Sequence, residues 1–155
     1  MSTILVVDDA AVDRILVRKV LSRKPGLEIV EAENGEEAIG TLQTTQCDLV
    51  LTDLQMPVMG GLELVSWIKE QMPVIPTVLM TAQGSEKTAV EALLAGASSY
   101  VPKDNLITDL KGTVESVLAA AASKQAHQEI LQRVVSSKTK FCIETRLPIV
   151  SALLD

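Results

Sequence analysis

Asp8, Asp9 and Asp53 each stand at the end of a short apolar run, Thr81 ends another, and Lys103 follows a further one. Carboxylates gathered at one place repel one another and persist where a counter-charge is supplied. An all-oxygen cluster suits a hard divalent ion, and Mg²⁺ in particular uses one or two carboxylates, keeps waters and leaves room for a phosphate oxygen. Lys103 would add a second positive charge. A carboxylate nucleophile at position 53 flanked by two cations is equipped for in-line phosphoryl transfer, because the cations neutralise charge on the equatorial oxygens. Thr81 could donate a hydroxyl hydrogen bond to one of those oxygens. Taken singly, each residue has a plainer role: Asp8-Asp9 a helix start, Asp53 a strand end, Thr81 a strand terminus, Lys103 a solvated charge. The question is whether the chain brings them together.

The elements that would do so are legible around residues 48–53, an apolar run too short for a helix and bounded by breakers, which reads as a strand buried on both faces. After it, Pro57 pushes Met56 out of the helical region, and Gly60-Gly61 frees the chain to reverse into a helix opening near Leu62. Residues 3–7 form a second strand of the same kind, followed by Val12, Ile15, Leu16 and Val20 at helical spacing until Lys24-Pro25-Gly26. Residues 28–32 are a more polar strand. Asn34 with Glu37 reads as an N-cap and its reciprocal partner, ahead of Ala38, Ile39 and Leu42. Leu62, Val65 and Ile68 line the helix after the central strand; residues 77–81 are a fourth strand. Ser85 caps a helix that Gly96 ends, residues 99–101 are a short fifth strand, and Ile107, Leu110, Val114, Val117, Leu118 and Ala121 mark a last helix. Strands and helices that alternate with short loops specify a parallel sheet covered on both faces, α/β and doubly wound. In the flavodoxin-like order 2-1-3-4-5, taken over from known sheets of this kind, strands one, three and four lie side by side and their tips share one crevice.

Composition narrows the partners. The 155 residues, 47% of them hydrophobic, suffice for one five-stranded domain plus a C-terminal helical extension. A formal charge of −6 argues against direct nucleic-acid binding, which needs a basic face. Cys47 and Cys142 lie far apart without histidine or cysteine at ligand spacing, so neither zinc nor a disulfide is indicated. Aromatic residues at 2% leave no ring platform for a flavin or a single strand. No charged leader or membrane-length apolar run is present, and the expectation is a soluble, cytoplasmic protein without a membrane partner.

Asp8-Asp9, Asp53 at the head of Asp53-Leu54-Gln55-Met56-Pro57-Val58-Met59-Gly60-Gly61, Thr81-Ala82, Tyr100 and Lys103 together resemble the receiver domains of bacterial two-component response regulators, over about residues 3–121. The resemblance implies that Asp53 accepts a phosphoryl group from a sensor histidine kinase or phosphotransfer protein. It further implies that Asp8, Asp9 and Asp53 hold Mg²⁺ with the Gln55 backbone carbonyl, that Lys103 pairs with the phosphoryl group, and that Thr81 and Tyr100 are the switch pair. Such a protein is no enzyme beyond catalysing its own phosphorylation and dephosphorylation. An Asp-nucleophile phosphatase is the first alternative, although position 55, where such enzymes carry a second acid, is Gln55; a binding module that never becomes phosphorylated is the second. One departure concerns proline, which in the family follows the lysine; here Pro102 precedes Lys103 and Asp104 follows it. A cis Lys103–Asp104 bond would cost about 2.5–4 kcal/mol, so trans is expected there, with the Val101–Pro102 isomer open.

The expected organisation is a receiver domain over residues 1–122, a helical linker over 123–137, and over 138–155 the start of a truncated output module, with a strand at 139–145 and a helix from 147. Ile130, Leu131, Val134 and Val135 form an apolar strip on the linker, suited to signalling towards that module or to a homodimer contact. His127 reads as a solvated helix residue, and Trp67, Met56 and Met59 as packing groups.

Overall fold

The short apolar runs become strands, and every connection between them is a helix. The computed structural model describes residues 1–82 and 85–151, the stretch from 137 by its backbone alone. In chain order the elements are β1 (Ser2–Val7), α1 (Ala11–Leu21), β2 (Leu27–Ala32), α2 (Gly35–Thr44), β3 (Leu49–Asp53), α3 (Gly61–Gln71), β4 (Thr77–Thr81), α4 (Glu86–Ala95), β5 (Ser99–Pro102), a 3₁₀ turn (Lys103–Asn105) and α5 (Leu106–Ser151). The sheet is parallel throughout, in the order β2-β1-β3-β4-β5.

Alternate residues of each strand feed separate core clusters, as the period of two requires. Ile4, Val6, Leu49, Leu51, Val78 and Met80 pack with Val17 and Leu21 of α1 and with Leu106, Leu110 and Val114 of α5. Leu5, Val7 and Val50 pack with Ala38 and Leu42 of α2 and Leu64 and Ile68 of α3, while Leu79 joins Val65 and Ala92. Each such aliphatic side chain, removed fully from water, contributes about 1.5–3 kcal/mol before entropy is charged against it. All residues of β3 and β4 are buried, which accounts for runs without polar alternation.

Local signals act where expected. Asn34 accepts the Glu37 backbone N–H at 3.0 Å, although the Glu37 carboxylate reaches the N–H of Glu33, not that of Asn34. Ser85 accepts the Thr88 N–H and Gly96 closes α4 at φ +113°. The reversal after β3 is made differently. Gly60 has an ordinary extended φ of −77°, and the residue at positive φ is Val58, at 70°. Gly61 is required by proximity, since a Cβ there would lie 1.9 Å from the Asp53 carbonyl oxygen.

The buried line of α1 is Arg14, Val17 and Leu21, leaving Leu16 and Val20 half-buried and Val12 and Ile15 exposed. Arg14 turns the helix this way: its Nη1 donates to the Asp8 carbonyl at 2.7 Å, while Nε and Nη2 meet Glu31 at 3.3 Å and Glu33 at 3.0 Å. In α5, Leu106 takes the inward place and Ile107 faces solvent. The strand expected at 139–145 is not formed, because α5 runs on through Ser151. Once a helix is nucleated each residue adds a hydrogen bond, whereas a strand there would need a partner. The expected helix from 147 is thus the end of α5, and residues 152–155 lie outside the described residues.

No cis peptide occurs among the described residues, so both Val101–Pro102 and Lys103–Asp104 are trans. Two compact units are distinguished, Met1–Ala121 and Ala122–Asp155. In the second, Ile130, Leu131, Val134 and Val135 are each about half exposed or more. No described helix is long and apolar enough to cross a membrane.

Candidate functional site

Parallel register carries the reactive side chains to one edge. Val7 pairs with Thr52 and Asp53 with Met80, so Asp8 lies just beyond the tip of β1 beside Asp53 at the tip of β3; Thr81 ends β4, in register with Pro102 of β5. Asp8, Asp9 and Asp53 each offer a carboxylate oxygen, and these oxygens lie within 4.8 Å of one another. Asp8 is fully buried, Asp53 is 6% exposed, and Asp9 is exposed.

The carboxylates of Asp8 and Asp53 are aimed by the backbone. Asp8 Oδ1 accepts the Ala10 N–H at 2.9 Å across the turn into α1, and Arg14 holds the Asp8 carbonyl from below. Asp53 Oδ2 accepts the Gln55 N–H at 3.2 Å, while the Leu54 N–H is tied to the Met80 carbonyl at 2.9 Å. Lys103, at the head of the 3₁₀ turn, brings its Nζ to 2.8 Å from Asp8 Oδ2 and 3.2 Å from Asp53 Oδ1. The Asp8 contact is close but poorly directed: Oδ2 is buried and, among the described residues, accepts no well-formed hydrogen bond. It is therefore a Coulombic contact, which ties the oxygen less firmly than a directed hydrogen bond would.

Burial pushes the Asp53 carboxyl above its ordinary pKa; the charge and hydrogen bond of Lys103 oppose this, and the neighbouring Asp8 adds to it. Burial acts to lower the Lys103 pKa, but the contacts with Asp13 and Asp8 and the charge of Asp53 outweigh it, so the ammonium is held charged well above its ordinary range. One ammonium among several carboxylates leaves net negative charge. All-oxygen donors, a short separation and a buried acceptor that has no directed hydrogen bond among the described residues fit a hard divalent ion such as Mg²⁺.

Thr81 is buried, and Tyr100 is half-buried against the cluster of Val65, Leu79 and Ala92. Gln55 itself is exposed at the mouth of the β3–α3 loop. Gln83 and Gly84, which follow Thr81-Ala82, lie outside the described residues. The residue that sequence reasoning missed is Asp13, whose Oδ2 accepts a hydrogen bond from Lys103 Nζ at 2.7 Å. An acid in the first turn of a helix reads as a partner for the helix dipole, and nothing local announces a lysine 90 positions away.

Comparison with known proteins places the chain in a family. A family model described as response regulator receiver domain matches residues 4–115. Among curated relatives, the DNA-binding transcriptional regulator NtrC of Salmonella typhimurium is 34% identical over 81% of this chain and 26% of its own length. The nitrate/nitrite response regulator protein NarL of Escherichia coli is 33% identical over 90% of this chain and 63% of its own. The chain thus spans between about a quarter and two thirds of these relatives. Among solved structures, the response regulator protein TrrA of Thermotoga maritima in complex with Mg(2+)-BeF superposes with a TM-score of 0.68 at 35% identity, covering 76% of this chain and 99% of that one.

Proposed function

Because the chain belongs to the response regulator receiver domain family, matched over residues 4–115, we propose that it is a phosphorylation-controlled signalling switch with Asp53 as phosphoacceptor. The observation that carries this reading is the single ammonium of Lys103 in contact with both Asp8 and Asp53 at the common edge of the sheet. The donor is the phosphohistidine of a sensor histidine kinase or phosphotransfer protein. An Asp53 carboxylate oxygen forms the new O–P bond as the donor's P–N bond breaks, and the departing imidazole nitrogen keeps the electron pair. Mg²⁺, with Asp8, Asp9, Asp53 and the Gln55 backbone carbonyl as its proposed ligands, supplies positive charge beside the transferring oxygens. Lys103 supplies the second, and Thr81 a hydroxyl donor. The chain needs no further catalytic activity than its own phosphorylation and dephosphorylation.

Phosphorylation adds about −1.5 to −2 charge and three strong acceptor oxygens. These draw Thr81 towards the site, reorder the loop after it and let Tyr100 turn inward, favouring one of two conformations of the face formed by residues 81–121. Moving such an equilibrium from about 1:99 to 99:1 takes roughly 5.5 kcal/mol of differential stabilisation. The linker over 123–137 would pass the change to an output module beginning near 138, or to a second copy through its apolar strip. The net charge of −6 weighs against direct DNA contact by this chain, and cytoplasmic location follows from the phosphodonor.

Incubation with acetyl phosphate, with and without Mg²⁺, followed by intact-mass measurement tests the reading. One added phosphoryl group that requires Mg²⁺ and is lost in Asp53→Asn is the expected result. Hydrolysis without an adduct would favour an Asp-nucleophile phosphatase, and silence a binding module.

A further inference from the structure

We propose that Asp13 is a positioning residue for phosphoryl transfer, holding the Lys103 ammonium against Asp53 from the first turn of α1. The inference rests on the receiver reading above and adds to it a residue that the acceptor, metal and switch set does not contain. Among the described residues Lys103 Nζ has three partners, Asp13 Oδ2 at 2.7 Å, Asp8 Oδ2 at 2.8 Å and Asp53 Oδ1 at 3.2 Å. The contact with Asp13 is a hydrogen bond and the shortest of the three, whereas Asp8 Oδ2 accepts none among the described residues and meets the ammonium as an ion pair.

The division of labour follows from what the three carboxylates must also do. Asp8 and Asp53 belong with Asp9 to the oxygen cluster that fits a cation, and Asp13 does not. A cation there draws on the carboxylates of Asp8 and Asp53, leaving Asp13, among the described residues, as the one lysine partner with no second duty. A lysine is a compact charge on a flexible four-carbon stem, and its ammonium stays in place only where something holds it. When the Asp53 O–P bond forms and the donor's P–O bond breaks, acetate leaving with the electron pair in the case of acetyl phosphate, the lysine must give an N–H to a phosphoryl oxygen without first searching for it. Asp13 is suited to this because it comes from a different element, α1, and Arg14 beside it is locked by Asp8, Glu31 and Glu33.

The experiment follows Asp53 phosphorylation of the full chain by intact mass over a range of acetyl phosphate concentrations in Mg²⁺, and the ammonium ¹H–¹⁵N signal of Lys103 without phosphodonor. Asp13→Ala should lower the maximal rate about tenfold while the half-saturating donor concentration stays within about twofold. Asp13→Asn, whose amide oxygen still accepts a hydrogen bond, should recover most of the rate and keep the ammonium signal that Asp13→Ala loses to exchange. An unchanged maximal rate in Asp13→Ala overturns the proposal. So does a faster reaction in both variants through a lower half-saturating concentration, since Asp13 would then act by repelling the anionic donor. If no adduct forms in the wild type, the receiver reading fails, and the ammonium signal still decides whether Asp13 holds the lysine.

Discussion

Asp53 is a charge placed where charge is costly. Its carboxyl is raised above the ordinary carboxylate pKa by burial, with Lys103 offsetting only part of the effect. The folded state therefore binds the proton more tightly than the unfolded chain, and stability falls as pH rises from about 3.9 through the folded value. The penalty is fully present above that value. In the absence of divalent cations, Asp53→Asn should thus melt at a higher temperature than the wild type at pH 7, by a few degrees, with the advantage shrinking as the pH is lowered through the carboxylate range. Added Mg²⁺ should raise the melting temperature of the wild type and leave the variant nearly unmoved, and thermal scans at several pH values would show both. Asp13 is the residue that this scale conceals from sequence: its identity was plain, but its partner lies across the fold.

At the level of elements, the β3–α3 connection decides where Asp53 points. Gly61 closes against the Asp53 carbonyl so tightly that a Cβ would sit 1.9 Å from that oxygen. Because the obstacle is backbone, relief requires moving the end of β3 or the start of α3. Gly61→Ala should cost about 1–3 kcal/mol in denaturant titrations, the usual penalty of overpacking, and should also weaken Mg²⁺ binding, because the shifted strand end carries a proposed ligand. The Gly60-Gly61 pair was visible in sequence as a turn; that its use is proximity, with Val58 taking the left-handed position, was not. The helix α1 makes a similar point. Its spacing announced a helix, but which line faces inward depends on Arg14 finding Asp8, Glu31 and Glu33, and those partners come from the turn after β1, from β2 and from the turn after β2. Residues 139–145 mislead in the opposite direction, since a locally strand-like composition gives way to the propagation of α5.

For the whole molecule, the alternation of buried runs with amphipathic segments was enough to reach a parallel doubly wound sheet, because Leu49, Val50 and Leu51 or Val78, Leu79 and Met80 in succession fit only strands covered on both faces. Strand order was carried over from known sheets, since no local feature says which strand lies between β1 and β4; the observed order agrees with it. The core on which α5 packs ends with Val117 and Leu118, inside the compact unit Met1–Ala121. A fragment of residues 1–121 should therefore melt within a few degrees of the full chain and take up phosphate equally well, as calorimetry and intact mass would report. The last strand carries one more consequence. β5 borders the sheet, spans four residues and finishes in Pro102, which has no amide hydrogen to offer an incoming chain. A border so brief and so capped is a poor template for edge-to-edge polymerisation, so a segment proposed to shift with each signal can do so without inviting neighbouring molecules to aggregate along it.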